Sequence, residues 1–553
     1  MKRNLVRHDI NGNIMKKRQV LLLSALSLWS LLPLGAQERV AQWSRFEASY
    51  KYHTPQNPFT DVELSAMFIH DATTDTVRVN GFYDGDDTFR VRFMPTKQGR
   101  WRYVTTSDVA ELNGKRGEIE CTAPAAGEHG MVQVGPDQSF CYADGLRYDP
   151  VGTTSYAWIH ASEARQQLTL QSLSKAGFNK LRFCVFPNNS VNELPSLYPF
   201  KLLSSQKDST GHTRYVWDYS RFDPKFFRHL EQCIDELKQI GVEADLILFT
   251  PYDEGRWGFD RMTQETNMRY LKYVVSRLAS FSNLWWSMAN EWDLVKAKTL
   301  DDWLCMSRYV HQADPYHHLL SIHGGTATYI NYALPYFTHA SIQDQGPLYN
   351  KEGAATVRNI IHKPIIFDEV CYEGDHSARW AQLTGQEMLQ RMWTGLMAGT
   401  YVTHGECFTV GKDHYTGYSF LATGGDFQGT CPSRIRFMRD ILASLPYAPR
   451  LADRSWDGLT ASAGPDTWLI YFGAEAPKQW KFSLPAKNDH FPRLTGGERF
   501  TVDVIDTWNQ TVKHLPEVYT VEPAPAKRMV DKDGRKVALP GKPNILLRIQ
   551  RLR

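Results

Sequence analysis

Two dipeptides, each at the end of an apolar run, carry the side chains best suited to chemistry. Asn290-Glu291 ends LWWSMANE, and Asp368-Glu369 ends KPIIFDE. A pair of carboxyl groups can cleave a glycosidic bond with retention: one attacks the anomeric carbon, and the other protonates the departing oxygen and later activates water. We therefore predict Glu369 as the nucleophile, Glu291 as the acid and base, and Asn290 as a ligand of a sugar hydroxyl.

The two roles need different pKa values, and the residues around Glu291 indicate how its pKa could be raised. Trp286 and Trp292 flank the dipeptide. Burial among indoles removes water from a carboxyl group and favours its protonated form. We expect one indole to pack in the core and the other to face the sugar, and we include Trp292 among the candidate sugar-binding residues.

The elements that position these residues alternate regularly between about residues 131 and 445. Eight apolar runs are separated by helical stretches: DPVGTTSY, KLRFCVF, EADLILF, LWWSMAN, LLSIHG, THASIQ, PIIFDEV and TYVTHGE. This rhythm predicts a parallel sheet, and eight such units close a (β/α)8 TIM barrel, whose active site lies at the carboxyl ends of the strands. Glu291 would end the fourth strand and Glu369 the seventh, so they could face each other across the barrel mouth.

An open, doubly wound sheet is the alternative for this alternation. Such a sheet normally has fewer strands and a glycine-rich phosphate-binding turn. The sequence contains no GxGxxG or Walker motif, which favours the barrel. It also lacks HExxH and GxSxG, and its histidines follow no ligand spacing, so we predict no catalytic metal and no cofactor.

The regions on either side of the barrel have a different pattern. Short alternating strands with turn residues between them predict an N-terminal Ig-like β-sandwich over residues 37–124. Alternation returns after the last helical stretch and predicts a C-terminal β-sandwich over residues 448–553, with the catalytic barrel at 131–445 between them. We therefore expect a multi-domain chain.

Residues 1–36 have the pattern of a signal peptide. Lys16, Lys17 and Arg18 precede an apolar stretch that ends in Gly35-Ala36. This order is typical of a secretory leader, so we expect export to the periplasm or the medium, with no membrane insertion after cleavage. A short membrane anchor is the alternative, although the run is short for a span.

Composition limits the class of partner. The chain has 553 residues and a formal charge of +3, with 63 basic and 60 acidic side chains. This balance does not favour nucleic acid or an anionic membrane as partner.

The eight cysteines form no CxxC pairs, so one or two disulfides and isolated buried thiols both remain open. Aromatic residues make up 12% of the chain, which large cores or a ring-binding surface could explain.

The motifs together resemble a known superfamily. Asn-Glu ending the fourth strand and Glu ending the seventh resembles the clan A glycoside hydrolases. GFYDGDDTFRVRFMPTKQGRWRYVTTS is similar to an N-terminal sandwich domain that precedes such barrels in Bacteroidetes-type proteins, and VGTTSYAW, SIHGG, HASIQ, DEVCYEGD and YVTHGE resemble the strands of the apiosidase-like group. The resemblance covers most of the mature chain and implies a retaining hydrolase of an oligo- or polysaccharide, a complex plant or host glycan.

The chain departs from better-known clan A members at two strands. Those members often have a Tyr at the end of strand six and a Trp platform at the end of strand eight. Here strand six offers His339, Gln343 and Asp344, and strand eight offers His404 and Glu406. The identity of the sugar therefore does not follow from the resemblance.

Further candidates are ranked by their position near strand ends. Arg182 matches the clan arginine that steadies the nucleophile, although a structural ion pair is an alternative. The remaining candidate substrate-binding residues are Tyr156, Trp158, Tyr252, Asp253, Trp257, Trp292, His323, Gln343, Tyr372 and His404. His160 and Glu373 are weaker candidates, and Glu406 is a rival carboxylate for Glu369. The rival function is a noncatalytic, secreted carbohydrate- or matrix-binding protein on a barrel scaffold.

Overall fold

The computed structural model describes residues 38–189, 194–209, 211–349, 352–411, 418–452, 460–486 and 492–553. The predicted signal peptide, residues 1–36, lies outside the described residues. Within these ranges, every helix is too short or too polar to cross a membrane.

Each of the eight predicted runs contains a strand. The strands are β1 (Gly152–Thr154), β2 (Lys180–Cys184), β3 (Glu243–Ile247), β4 (Leu284–Ser287), β5 (Leu320–Ser321), β6 (Ala340–Gln343), β7 (Ile365–Glu369) and β8 (Tyr401–Val402). Almost every residue in them is buried, which is expected of parallel strands covered on both faces.

Hydrogen bonds join these eight strands side by side in the order of the chain. β1 to β5 form one parallel sheet, and β6 to β8 form another. A parallel bridge between His323 and Ser341 joins β5 to β6. The His404 amide donates to the Gly152 carbonyl at 2.8 Å and joins β8 to β1. We call the eight strands the strand ring, and their carboxyl ends lie on one side of it.

Helices connect the ring strands and follow the last one. They are α1 (Glu163–Ala176), α2 (Pro224–Gln239), α3 (Gln264–Leu278), α4 (Leu300–Ala313), α5 (Gly353–Ile361), α6 (Gly385–Met397), α7 (Ser419–Thr423) and α8 (Ile435–Ala443). Short 3-10 helices span Pro136–Gln138, Trp158–His160, Phe259–Arg261, Trp292–Leu294, Gly346–Leu348, Arg379–Ala381, Pro432–Arg434 and Pro525–Lys527.

Local sequence explains where these helices begin and end. The Asp223 carboxylate accepts from the Lys225 amide at 2.9 Å, immediately before Pro224 in the first turn of α2. α1 ends where Gly177 adopts a left-handed conformation with φ 90°, which costs glycine little.

Two sheets form the N-terminal domain. One contains Glu38–Ala41, Leu64–His70, Thr76–Asn80, Gly99–Ser107 and Arg116–Thr122, and the other contains Phe46–Lys51, Phe82–Tyr83 and Thr88–Phe93. Phe68 of the first sheet stacks on Phe93 of the second, with ring centroids 4.0 Å apart. The two sheets therefore share one core.

The C-terminal domain is also built from strands. Its larger sheet contains Arg450–Leu451, Thr460–Ser462, Thr467–Tyr471, Ser483–Pro485, Arg499–Asp506, Thr511–His514, Tyr519–Ala524, Arg528–Asp531 and Ile545–Leu552, and a smaller one pairs Gln479–Lys481 with Lys536–Ala538. The remaining strands are Val132–Val134, Phe140–Tyr142 and Arg147–Tyr148 ahead of β1, the hairpin Phe200–Lys207 and Thr213–Phe222, and the pair Glu373–Gly374 and Glu406–Cys407.

Two questions left open by the sequence concern cysteine and tryptophan. All eight cysteines are free thiols, so the structure has isolated thiols and not the one or two disulfides that the sequence left open.

Trp286 is buried, and its indole N–H donates to Asp314 Oδ2 at 2.9 Å. Trp286 therefore packs in the core, as does Trp285, whose indole N–H donates to Glu243 Oε2 at 3.0 Å.

Candidate active site

The two predicted carboxylates line one cavity at the carboxyl ends of the ring strands. Glu369 is the last residue of β7, and Glu291 lies four residues beyond the end of β4. The cavity has a volume of about 530 Å³ and is lined by Tyr156, Asn188, Tyr252, Glu254, Glu291, Thr326, Gln343, Asp344, Gln345, Glu369, Cys371, Tyr372, Trp380, Tyr418, Leu421 and Ala422.

Several polar groups converge on one oxygen of Glu369. Tyr156 donates its hydroxyl to Oε1, and Asn290 donates to the same atom from Nδ2 at 3.1 Å. His323 Nε2 lies 3.5 Å from Oε1 and Arg182 Nη1 lies 4.0 Å from it. Burial and the neighbouring Glu369 raise the pKa of Tyr156 well above its usual value, so its phenol stays a donor. These contacts hold the carboxylate in one orientation.

Glu291 has a different environment. It is only partly buried, and Tyr252 donates its hydroxyl to Oε2 at 2.9 Å. Burial and the charge of Glu369 raise the pKa of Glu291 to about 7, against the opposing hydrogen bonds from Tyr252 and Gln343. A carboxyl group with this pKa can both give and take a proton near neutral pH.

Asn290 links the two carboxylates. Its Nδ2 donates to the Tyr252 hydroxyl at 2.6 Å as well as to Glu369. Arg182 donates from Nη2 to Asn290 Oδ1 at 3.0 Å, which turns the amide so that its NH2 group faces both partners. Arg182 and Asn290 are fully buried, so this orientation is set from beneath the cavity.

Asp368, the neighbour of Glu369, points into the strand ring instead. Its carboxylate accepts from Lys180 Nζ at 2.9 Å and from the hydroxyls of Ser341 at 2.5 Å and Thr403 at 2.7 Å. Burial alone would raise the pKa of Asp368, but Lys180 and Arg182 hold it well below its usual range. Asp368 is therefore an ionised residue of the ring interior.

The structure brings most of the predicted site residues together. Tyr156, Tyr252, Gln343 and Tyr372 line the cavity with the two glutamates. Arg182, Asn290 and His323 contact the carboxylates or their partners from below.

Five predicted substrate-binding residues neither line the described cavity nor contact its two glutamates. The indole of Trp158 is buried and donates to the Gln166 carbonyl at 3.3 Å. Asp253 accepts from the amides of Trp257, Gly258 and Phe259 at 2.8, 3.2 and 2.6 Å, so it shapes its own loop.

The other three are Trp257, Trp292 and His404. Trp257 is buried in the core, where its carbonyl accepts from Trp217. Trp292 packs partly buried against the core, with its amide bonded to the His323 carbonyl. His404 is fully buried, and its Nδ1 lies 3.0 Å from Thr153 Oγ1.

Glu406, the rival carboxylate, and Glu373, a weaker candidate, both anchor a loop. Glu406 accepts from the amides of Gln428 and Gly429 at 2.8 and 2.9 Å. Glu373 accepts from the amides of Thr430 and Cys431 at 2.5 and 3.0 Å. This buried pair therefore holds residues 428–431 against the strand pair Glu373–Gly374 and Glu406–Cys407.

One group of side chains has metal-ligand chemistry. Glu373, His404 and Cys431 are buried, and one ligand atom of each lies within 4.8 Å of the others. Glu373 already accepts hydrogen bonds on both carboxylate oxygens, so we assign it to loop anchoring.

The sequence did not identify several cavity residues. Asn188, Glu254, Thr326, Gln345, Cys371 and Tyr418 lie in loops beyond the strand ends, Trp380 lies in the 3-10 helix Arg379–Ala381, and Leu421 and Ala422 lie in α7. The only available signal was their place after a predicted strand, which many packing residues share.

Comparison with known proteins identifies the family. Residues 137–407 match the model described as the apiosidase-like catalytic domain. Residues 39–108 match DUF5060 and residues 456–550 match DUF5605, both domains of unknown function. A search of curated proteins finds no match.

Two solved structures from Bacteroides vulgatus ATCC 8482 are similar to this chain. A candidate glycoside hydrolase has 47% identity and a TM-score of 0.90, covering 93% of this chain and 100% of its own. A family 5 glycoside hydrolase has 12% identity and a TM-score of 0.53, covering 76% and 93%, and shares the fold alone. The resemblance to the apiosidase-like group is thereby confirmed, and the chain belongs to the apiosidase-like family of glycoside hydrolases.

Proposed function

We propose that the chain is a retaining O-glycoside hydrolase that acts by double displacement, with Glu369 as nucleophile and Glu291 as acid and base. The observation that carries the proposal is that both carboxyl groups line one cavity in unlike environments. Glu369 is surrounded by hydrogen-bond donors, whereas the pKa of Glu291 is raised to about 7. Such a division of environment is how two carboxyl groups take opposite roles.

In the first step Glu369 attacks the anomeric carbon, and a covalent bond forms between that carbon and a carboxylate oxygen. The bond to the leaving oxygen breaks, and Glu291 transfers its proton to that oxygen. In the second step Glu291 takes a proton from water, the water oxygen attacks the anomeric carbon, and Glu369 leaves. Each of the two steps inverts the configuration at the anomeric carbon, so the product retains the original configuration.

Three neighbouring residues position the nucleophile Glu369 by hydrogen bonds, directly or through one another. Tyr156 and Asn290 donate to Glu369 Oε1, which leaves the other oxygen to attack the sugar. Arg182 holds the Asn290 amide in place. Both N–H groups of the buried Asn290 amide are thus used by Glu369 and the Tyr252 hydroxyl, and the predicted binding of a sugar hydroxyl would require one of them to change partner.

The wider setting belongs to the same proposal. We infer that the strand ring is a clan A (β/α)8 barrel, flanked by two β-sandwiches, and that residues 1–36 direct export to the periplasm or the medium. The substrate is an oligo- or polysaccharide of plant or host origin. The unbroken hydrogen-bonded order of the eight strands supports the barrel.

A trapping experiment tests the nucleophile. The protein is incubated with a panel of activated 2-deoxy-2-fluoro glycosides, and the labelled residue is located by peptide mass spectrometry. We expect the label on Glu369, and Glu369→Ala should lose about a thousandfold or more in turnover. Glu406→Gln, a change in the rival carboxylate, should keep the label on Glu369.

The stereochemistry of the product gives a second test. NMR of the first-formed anomer should show retention, and inversion would contradict double displacement. If the wild type cleaves none of a broad glycan panel but binds one of them tightly, the noncatalytic binding function replaces the hydrolase.

A further inference from the structure

Trp380 is an unusual residue of the cavity wall. Its side chain is 39% exposed, and no other tryptophan among the described residues is as open to solvent. It lines the same cavity as Glu291 and Glu369. An indole left open in the wall of a polar cavity presents a large, rigid apolar face that a ligand can cover.

Trp380 belongs to a group of rings that we call the aromatic wall: Tyr372, His376, Trp380 and Tyr418. His376 stacks against Trp380, with centroids 5.4 Å apart and an angle of 28°. Tyr418 lies 6.3 Å from Trp380 at 32°, and Tyr372 meets it edge-on at 5.6 Å and 80°. The indole therefore has ring partners that fix its plane.

Backbone hydrogen bonds hold the aromatic wall in place. The Tyr372 amide donates to the Trp380 carbonyl at 2.7 Å. The Ala378 amide donates to His376 Nδ1 at 3.0 Å, which helps to orient the imidazole that stacks with the indole. A ring that is already fixed loses little conformational entropy when a ligand stacks on it.

The aromatic wall runs outward from the reacting carboxylates. Tyr372 follows Glu369 by three residues and is only 6% exposed, whereas Trp380 at the outer end is 39% exposed. A sugar ring stacked on Trp380 would thus lie beyond the ring that reacts at Glu369. His404, at the strand-eight position where better-known clan A members often have a Trp platform, is buried and bonded to Thr153.

We propose that the aromatic wall is a binding subsite for a second sugar ring, next to the sugar whose bond is cleaved. The apolar C–H face of the sugar stacks on the Trp380 indole. This proposal rests on the proposed glycosidase function and adds that the natural substrate contains at least two sugar rings.

A ladder of substrates tests the proposal. For a sugar that the wild type cleaves, kcat/KM is measured with the monosaccharyl fluoride, a disaccharyl fluoride and a disaccharide. Trp380→Ala should lower kcat/KM about tenfold for one or both two-ring substrates and leave the monosaccharyl fluoride within about twofold. Trp380→Phe should restore most of the loss, because it keeps a stacking face.

The two-ring substrates also report the side of the subsite. A loss with the disaccharyl fluoride places the second ring on the non-reducing side, and a loss with the disaccharide alone places it in the leaving group. An equal loss for all three substrates, or none for any, overturns the proposal while the hydrolase stands. Tyr447→Ala is the matched control, because Tyr447 is 52% exposed and is not among the residues that line the described cavity.

A separate outcome covers failure of the proposed function. If no glycoside is cleaved, binding of the same disaccharides to the wild type and to Trp380→Ala is measured by calorimetry. Weaker binding in the variant supports the subsite without catalysis, and equal or absent binding overturns it.

Discussion

At the residue scale, one amide distributes hydrogen bonds between the two carboxylates. Asn290 Nδ2 lies 3.1 Å from Glu369 Oε1 and 2.6 Å from the Tyr252 hydroxyl, which in turn donates to Glu291 at 2.9 Å. The two glutamates are thus connected by a short chain of donors, while only Glu369 receives the Asn290 amide directly. The two glutamates therefore have different hydrogen-bonding environments.

The pKa of Glu291 gives a pH prediction. Burial and the charge of Glu369 raise this pKa to about 7, and Glu291 must be protonated to release the leaving group. We expect kcat/KM to fall as pH rises through about 7. Tyr252→Phe removes a hydrogen bond that lowers the pKa of Glu291, so the basic limb should move to higher pH.

The pH profile of kcat/KM for the wild type and for Tyr252→Phe measures both effects. Tyr148→Phe is the control, because its hydroxyl donates to the Asn179 carbonyl at 2.8 Å and not to a cavity carboxylate. A basic limb that stays in place in Tyr252→Phe would show that Glu291 is not the group that titrates.

At the element scale, the turns after the ring strands do the positioning. Glu291 has a left-handed conformation, with φ 44° and ψ 55°, four residues beyond the end of β4 and immediately before the 3-10 helix Trp292–Leu294. Such a conformation costs a non-glycine residue about 1 kcal/mol or more. The turn directs the carboxyl group into the cavity, which a regular continuation of β4 would not do.

The loop at residues 428–431 gives a stability prediction. Glu373 accepts from the Thr430 amide and hydroxyl and from the Cys431 amide. Glu373→Gln replaces one acceptor oxygen with an NH2 group that faces a buried donor, so it should destabilise the protein by about 1–3 kcal/mol. Calorimetric unfolding measures the change, and exposed Glu522→Gln should leave the melting temperature unchanged. An unchanged melting temperature in Glu373→Gln would contradict the anchoring role.

At the scale of the whole molecule, a buried ionic network joins the N-terminal domain to α2 and α3. Arg92 donates to Glu231 at 2.7 and 3.0 Å, and Arg277 donates to Glu231 at 2.6 Å and to Asp84 at 2.7 Å. Arg92 and Asp84 lie in the N-terminal domain, and the other two residues lie on the helices. The network therefore fixes the domain against the outside of the strand ring.

Acid should weaken this junction. Burial alone would raise the pKa of Glu231, but Arg92 and Arg277 outweigh burial and lower it to about 2. A carboxyl group with a depressed pKa stabilises the fold above its unfolded value of about 4.5, and this stabilisation is lost as pH falls from there towards about 2. Glu231→Gln should cost about 3–5 kcal/mol at neutral pH, because it leaves buried arginines without their charge partner.

Calorimetric unfolding of the wild type and Glu231→Gln across this pH range tests the prediction. The difference in melting temperature should shrink as pH falls. A difference that stays constant with pH would show that Glu231 contributes by packing and not by charge. Glu265→Gln, in an exposed pair with Arg269, is the matched control.

The sequence predicted which residues lie at strand ends, but it did not predict whether each side chain points into the cavity or into the core. Glu291, Glu369, Tyr156 and Tyr252 follow strands whose apolar pattern is legible, so their place at the cavity could be predicted. Trp257 and His404 also follow strands but point into the core, and a strand end does not show which way a loop side chain turns.

Sequence alone determined the succession of strands and helices, the family and the two glutamates at strand ends, because periodicity, helix caps and motifs are local properties of the chain. Tertiary structure decided that Asn290 joins the glutamates, that Glu373 and Glu406 anchor a loop, and that Trp380 opens into the cavity. These features depend on contacts between residues that are far apart in the chain, such as Arg182 and Asn290, which are more than a hundred positions apart. No local sequence pattern specifies such contacts.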